Sequence, residues 1–168
     1  QGLASASLLW DLEKFFDSIS IVQLIRIGRR FDYPVDFFLF GAQVHMAPRI
    51  LKAGNTFGNP INISNGILAG CTQANTFALV ALYDIVERAH QVAPEAPPKS
   101  YVDDLAQRCS GSFAEVLRGV IGAGASLYND LVASLYKVSP KSVVVGSSLE
   151  LGRRISSTLN RESLSKHT

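Results

Sequence analysis

The chain has 168 residues, 47% of them hydrophobic and only 18% charged, with a formal net charge of +2 and a mean hydropathy of +0.17. That balance excludes a disordered chain, which needs low hydrophobicity and high charge, and it excludes a uniformly basic coat for nucleic acid, so any polyanion site must be local. The length suits one domain with a real core. Cys71 and Cys109 are too few and too distant for a disulfide framework or a zinc site, and read as buried free thiols of a reducing compartment. His45, His90 and His167 show no metal-ligand spacing. No stretch of ~18 residues is apolar throughout; Thr72, Gln73, Asn75 and Thr76 interrupt the best candidate. Neither a membrane span nor a signal peptide is expected, and an intracellular location is. The chain begins at Gln1 without an initiator Met and reads as a piece of something longer.

In chain order, residues 4–12 are apolar and small and predict a buried strand ending near Asp11. Asp17 and Ser18 offer N-cap chemistry for a helix over 19–31. Ile21, Leu24, Ile25 and Ile27 form its apolar face, with Arg26, Arg29 and Arg30 elsewhere. Tyr33-Pro34 breaks the pattern, and a second helix is expected over 35–52. The Asn- and Gly-rich 54–65 predicts an irregular hairpin. A third helix is expected over 72–90, then a Pro-rich loop over 93–99. Residues 100–109 read as two short strands around a tight turn. Gly111 or Ser112 caps a helix running towards Tyr136, and 141–145 is a strand. The last twenty residues, polar and Ser-rich, read as a turn or two of helix and then a tail, so the organisation is a domain over 1–150 and a polar tail over 151–168. The fold class is α+β, an antiparallel sheet packed on helices.

Asp11 and the pair Asp103-Asp104 each fall at an apolar strand end, where strand propensity disfavours Asp. A burial of ionised carboxylate costs several kcal/mol unless it is paired. One reading of Asp103-Asp104 is a plain hairpin tip. The other is a cation site, because no Lys or Arg stands directly beside any of the three acids. Hard divalent ions take oxygen ligands of this kind.

The run from Asp11 to Asp17, Asp-Leu-Glu-Lys-Phe-Phe-Asp, resembles the first palm motif of reverse transcriptases, especially those of non-LTR retroelements and group II introns. Gly66 to Asn75 resembles their second motif, a Gly-rich turn opening a helix. Tyr101-Val-Asp-Asp104 resembles the third, and Lys137 to Ser142 the fourth. Any one of these strings occurs by chance; four in family order, spread over nearly the whole chain, make the likeness specific.

The resemblance implies a polymerase palm that adds deoxynucleotides to a primer 3′-hydroxyl, in an RNA-directed DNA polymerase of a retrotransposon-like element. It implies Asp11 and Asp103 as ligands of two Mg²⁺ ions, replaceable by Mn²⁺, with Asp104 supporting and the Leu12 carbonyl a further ligand. Phe16 matches the aromatic under the sugar of the incoming nucleotide, where it would exclude a 2′-hydroxyl; core packing of Phe15 and Phe16 is the plainer reading. Gly66 and Gly70 match glycines beside the template–nucleotide pair, or are ordinary turn glycines. Lys141 matches a lysine near the leaving pyrophosphate, or is a solvated strand-start residue. Arg26, Arg29 and Arg30 form a weak candidate for phosphate contact. The implied partners are RNA template, DNA primer, deoxynucleoside triphosphates and the fingers and thumb of a longer parent, with no membrane. Ala69 stands where the family carries Gln, and Phe15 replaces its small residue. Two alternatives follow: a non-catalytic remnant of such a palm, and an RNA-directed RNA polymerase palm.

Overall fold

A computed structural model describes residues 3–164. In chain order the elements are β1 (Ala4–Trp10), α1 (Phe15–Ser18), α2 (Ile21–Arg30), α3 (Val35–Met46), β2 (Lys52–Ala53), β3 (Thr56–Phe57), α4 (Ala74–Val92), β4 (Pro98–Tyr101), β5 (Asp104–Gly111), α5 (Phe113–Ala133), β6 (Val143–Gly146) and α6 (Leu149–Leu164). The backbone packs as two compact units, one of the segments up to Glu13 and from Leu82 onward, the other Lys14–Ala81. The expected α+β class, an antiparallel sheet on helices, is what the chain adopts.

In the first unit the sheet order is β4-β5-β1-β6, all antiparallel. β1 is paired on both sides, from Ala4↔Gly111 to Trp10↔Leu105 against β5 and from Ala6↔Gly146 to Leu9↔Val143 against β6. Strand alternation sends Ala6, Leu8 and Trp10 of β1 and Leu105, Gln107 and Cys109 of β5 into the core, while Leu9 stays 43% exposed on the other face. Helix α5 covers the core face with Val116, Val120, Ala123, Leu127 and Leu131. Gly124 allows that approach: a Cβ there would lie 2.5 Å from Leu8 Cδ1. The buried Gln107 amide is satisfied, accepting from Trp10 Nε1–H at 3.1 Å and donating to the Ala96 and Ala123 carbonyls, both at 3.3 Å. Ser112 and Glu115 cap α5 reciprocally, as the sequence suggests for Ser112.

The expected polar tail is corrected. Residues from Leu149 to Leu164 form α6, and Leu151 and Ile155 are wholly buried against the rest of the unit. Two apolar residues four apart suffice to bury one stripe of an otherwise polar helix, and the Ser148 hydroxyl accepts from Leu151 N–H at 3.2 Å. Residues 165–168, with His167, lie outside the described residues, as do Gln1 and Gly2.

In the second unit α2 packs on α3. Its cap is Ser20, whose hydroxyl accepts from Gln23 N–H, rather than Asp17 or Ser18, which lie in the single turn α1. α3 ends at Met46, short of the expected residue 52, because Pro48 holds Ala47 extended (φ −59°, ψ 138°). Tyr33, Phe38, His45 and Phe77 form an aromatic cluster with centroids 5.1 to 6.5 Å apart. The expected hairpin is a two-residue turn between β2 and β3.

Candidate functional site

Three acids are placed by the end of one strand pairing. β1 stops at Trp10, opposite Leu105, and Tyr101 pairs with Asp104 to close the two-residue turn Val102-Asp103. The same register carried one step further sets Asp11 against Asp104, with Asp103 at the adjoining turn. By alternation, Asp11 and Asp104 leave on the face opposite the helices, the face on which Leu9 is exposed. Asp11 and Asp103 are half-buried and Asp104 is exposed. None of the ion pairs among the described residues engages any of the three.

The segment after α5 holds Asp11 by its backbone. Asp11 N–H donates to Ser142 Oγ at 3.0 Å, and its carbonyl accepts from Ser139 N–H at 2.8 Å and from the Ser142 hydroxyl at 3.4 Å. Ser139 is itself buried, and its hydroxyl accepts from Lys141 N–H at 3.2 Å. The next pair is the bridge Leu12↔Val138, with Glu13 N–H donating to the Lys137 carbonyl. Because this bridge uses the carbonyls of Asp11 and Lys137, the Leu12 carbonyl points to the other side of the strand. Lys141 sits on the same turn with an exposed side chain. Ser139 and Ser142 are the site residues that reading by motif misses. Their signal is the Ser-Pro-x-Ser turn, whose hydroxyls bond nearby backbone.

Val102 has φ +62°. A β-branched residue in the left-handed region is a strained outlier. The Ser100 hydroxyl, donating to the Val102 carbonyl at 3.1 Å, helps hold it there. Strain of this kind gathers at functional turns, and this one carries the candidate Asp103.

Oxygen donors alone are offered by Asp11, Asp103, Asp104 and the Leu12 carbonyl, and this chemistry fits a hard divalent cation. Among the described residues no group of three or more acidic, His or Cys side chains is closed around a common metal position. A cation here would therefore take part of its shell from substrate phosphate and water.

The remaining expected residues lie in the second unit. Phe15 is core, whereas Phe16 is half-exposed and meets Phe15 edge-on at 5.8 Å. Gly66 is buried with φ +94°, and a Cβ there would lie 3.1 Å from the Asp17 backbone. Gly66 N–H donates to the Ile19 carbonyl and Ile67 N–H to the Phe16 carbonyl, both at 2.8 Å. The first and second motifs are thus tied together by main chain around Phe16. Gly70 (φ +85°) is an exposed turn glycine. Arg26, Arg29 and Arg30 are exposed on α2, with the Arg30 guanidinium 4.7 Å over the Phe31 ring. On α3, His45 is fully buried; its Nδ1 accepts from Leu68 N–H at 2.9 Å. Burial, and secondarily the charge of Arg49, hold the His45 pKa below the ordinary 6.5.

No described protein family and no curated protein matches the sequence. Among solved structures, the chain is similar to the apo telomerase from Candida tropicalis truncated from the C-terminal domain. The TM-score is 0.62 at 13% identity, over 86% of this chain and 31% of that one. The likeness is one of fold. This chain spans under a third of the telomerase structure it matches.

Proposed function

We propose that this chain is the palm of an RNA-directed DNA polymerase, from a retrotransposon-like element, that adds deoxynucleotides to a primer 3′-hydroxyl. The observation that carries the reading is the convergence of Asp11, Asp103 and Asp104 at one corner of the sheet, with Asp11 fixed by Ser139 and Ser142. The telomerase likeness supports a reverse-transcriptase type of fold.

In the reaction the primer O3′ forms a bond to the α-phosphorus of a nucleotide. The bond from that phosphorus to the bridging oxygen breaks, pyrophosphate leaves, and the hydroxyl proton passes to solvent. Asp11, Asp103 and the Leu12 carbonyl would hold the divalent ions, with Asp104 supporting. Two Mg²⁺ ions, or Mn²⁺, would when bound supply charge neutralisation at the attacking and leaving oxygens. The protein's own part is positioning. The sheet fixes the two acid-bearing strand ends, and the Ser139–Ser142 turn keeps Asp11 from moving along its strand. Lys141, exposed on that turn, is the candidate to neutralise or protonate departing pyrophosphate. Phe16 is the candidate sugar gate, and Gly66 and Gly70 the nucleotide-side turn. RNA template, DNA primer and deoxynucleoside triphosphates are the proposed partners, with Arg26, Arg29 and Arg30 as phosphate contacts. Among the described residues, no helix is long and apolar enough to cross a membrane.

Primer extension on an RNA template, by the full-length parent that supplies fingers and thumb, tests this. Asp103→Asn and Asp11→Asn should each remove several kcal/mol of transition-state stabilisation, on the order of 10³-fold in rate, with folding retained by circular dichroism. Extension unchanged in both variants overturns the reading. Incorporation of ribonucleotides in place of deoxynucleotides points to an RNA polymerase palm, and Phe16→Ala should relax that choice.

A further inference from the structure

The turn over residues 66–70 is held by a side chain as well as by main chain. His45 Nδ1 accepts from Leu68 N–H at 2.9 Å, midway between Gly66 and Gly70. A ring nitrogen that accepts carries no proton, so the neutral ring holds its proton on Nε2. That Nε2 is buried and has no hydrogen-bond partner. The ring is fully buried, edge-on to Phe77 at 5.6 Å. A leucine or phenylalanine would fill the same space without orphaning a buried donor. What neither can do is accept from Leu68.

We propose that His45 is a positioning residue for the turn from Gly66 to Gly70, its unprotonated Nδ1 fixing the Leu68 peptide and the glycines on either side. The inference rests on the nucleotide-side role proposed above for that turn. Protonation would place a second donor against Leu68 N–H, and the bond would be lost. The surroundings oppose protonation. Arg49, just beyond α3, is the charged group that acts on the ring, while the turn presents the Leu68 main chain and α4 the uncharged Phe77. The turn is therefore held at neutral pH and released on acidification below 6.5.

Isotope-edited NMR of the whole chain tests the bond without reference to activity. At neutral pH the His45 proton should be on Nε2, and the Leu68 amide should be protected from exchange. As His45 titrates, Leu68 should lose protection by about tenfold or more beyond the intrinsic pH effect, while Gly66 and Ile67, bonded to main-chain carbonyls, keep theirs. His45→Asn puts an amide oxygen in the place of Nδ1 and should keep Leu68 protected at every pH. His45→Phe should lose it. A proton on Nδ1 at neutral pH, or Leu68 protection indifferent to His45 titration, overturns the proposal. In primer extension the KM for nucleotide should rise on acidification in the parent protein and stay flat in His45→Asn. The same acid rise in both overturns the positioning role. If the NMR results hold and the full-length protein with fingers and thumb extends no primer, with or without the substitution, the polymerase reading fails and the His45–Leu68 bond stands.

Discussion

Ser142 brackets the Asp11 peptide, taking its N–H and returning a hydroxyl bond to its carbonyl. Removing that hydroxyl leaves a half-buried amide unsatisfied, so Ser142→Ala should cost about 1–2 kcal/mol in urea unfolding. It should also slow primer extension more than a stability loss of that size explains, because Asp11 loses its anchor. A variant as active as the parent would show that Ser139 alone suffices. Gly66 is a second position where one atom decides. At φ +94° and 3.1 Å from the Asp17 backbone, Gly66→Ala meets both backbone strain and contact, and thermal unfolding should show a loss of about 1–3 kcal/mol. Val102 runs the other way. Asn tolerates the left-handed conformation that Val resists, so Val102→Asn should stabilise the β4–β5 turn by up to about 1 kcal/mol.

At the scale of elements, the sequence reading placed β1, β5 and β6 and the helices α2 to α5. It reached the acid-bearing strand ends because a carboxylate after Leu-Leu-Trp, and two after Tyr-Val, contradict their neighbours. Residues whose function lies in a backbone bond were out of its reach. Nothing in the composition of Lys137 to Ser142 says that the Ser142 hydroxyl and the Ser139 N–H hold Asp11, since the Ser142 pairing spans 131 positions. The end of α3 was legible in principle, as Pro48 forbids helix at Ala47. α6 was read as a turn or two of helix and then a tail because its polarity is high and, among the described residues, its wholly buried stripe is short, Leu151 and Ile155. That stripe makes α6 part of the core. Leu151→Ala or Ile155→Ala should each cost about 2–4 kcal/mol, measured by denaturant unfolding, whereas a true tail would tolerate either change.

At the scale of the whole molecule, the titratable groups give the two units different pH responses. In the second unit, His45 has a folded pKa below its ordinary 6.5. The unfolded chain then binds the extra proton first, so the stability His45 provides is complete above 6.5 and declines as pH falls from there towards the lowered value. In the first unit, Glu115 is held below its usual 4.5 by the hydroxyl and N–H of Ser112. Its contribution is present above 4.5 and is lost only as pH falls further. The alkaline side belongs to the first unit also. Burial pushes the Tyr136 pKa up to about 12 from 10.0, so folding is favoured below 10 and loses that support as pH climbs towards about 12. Hydrogen exchange along a pH series should therefore show Leu68, in the second unit, loosening first in mild acid, with the main-chain-bonded Gly66 and Ile67 and the β1–β5 ladder protected until lower pH. The two thiols provide an independent check, since half-exposed Cys71 lies in the second unit and buried Cys109 in the first. Burial, and secondarily Glu95, raise the Cys109 pKa, and a thiol kept protonated is a poor nucleophile. Alkylation should reach Cys71 first. Cys109 should react only when the sheet opens, and simultaneous labelling of both in mild acid would mean that the chain unfolds as one.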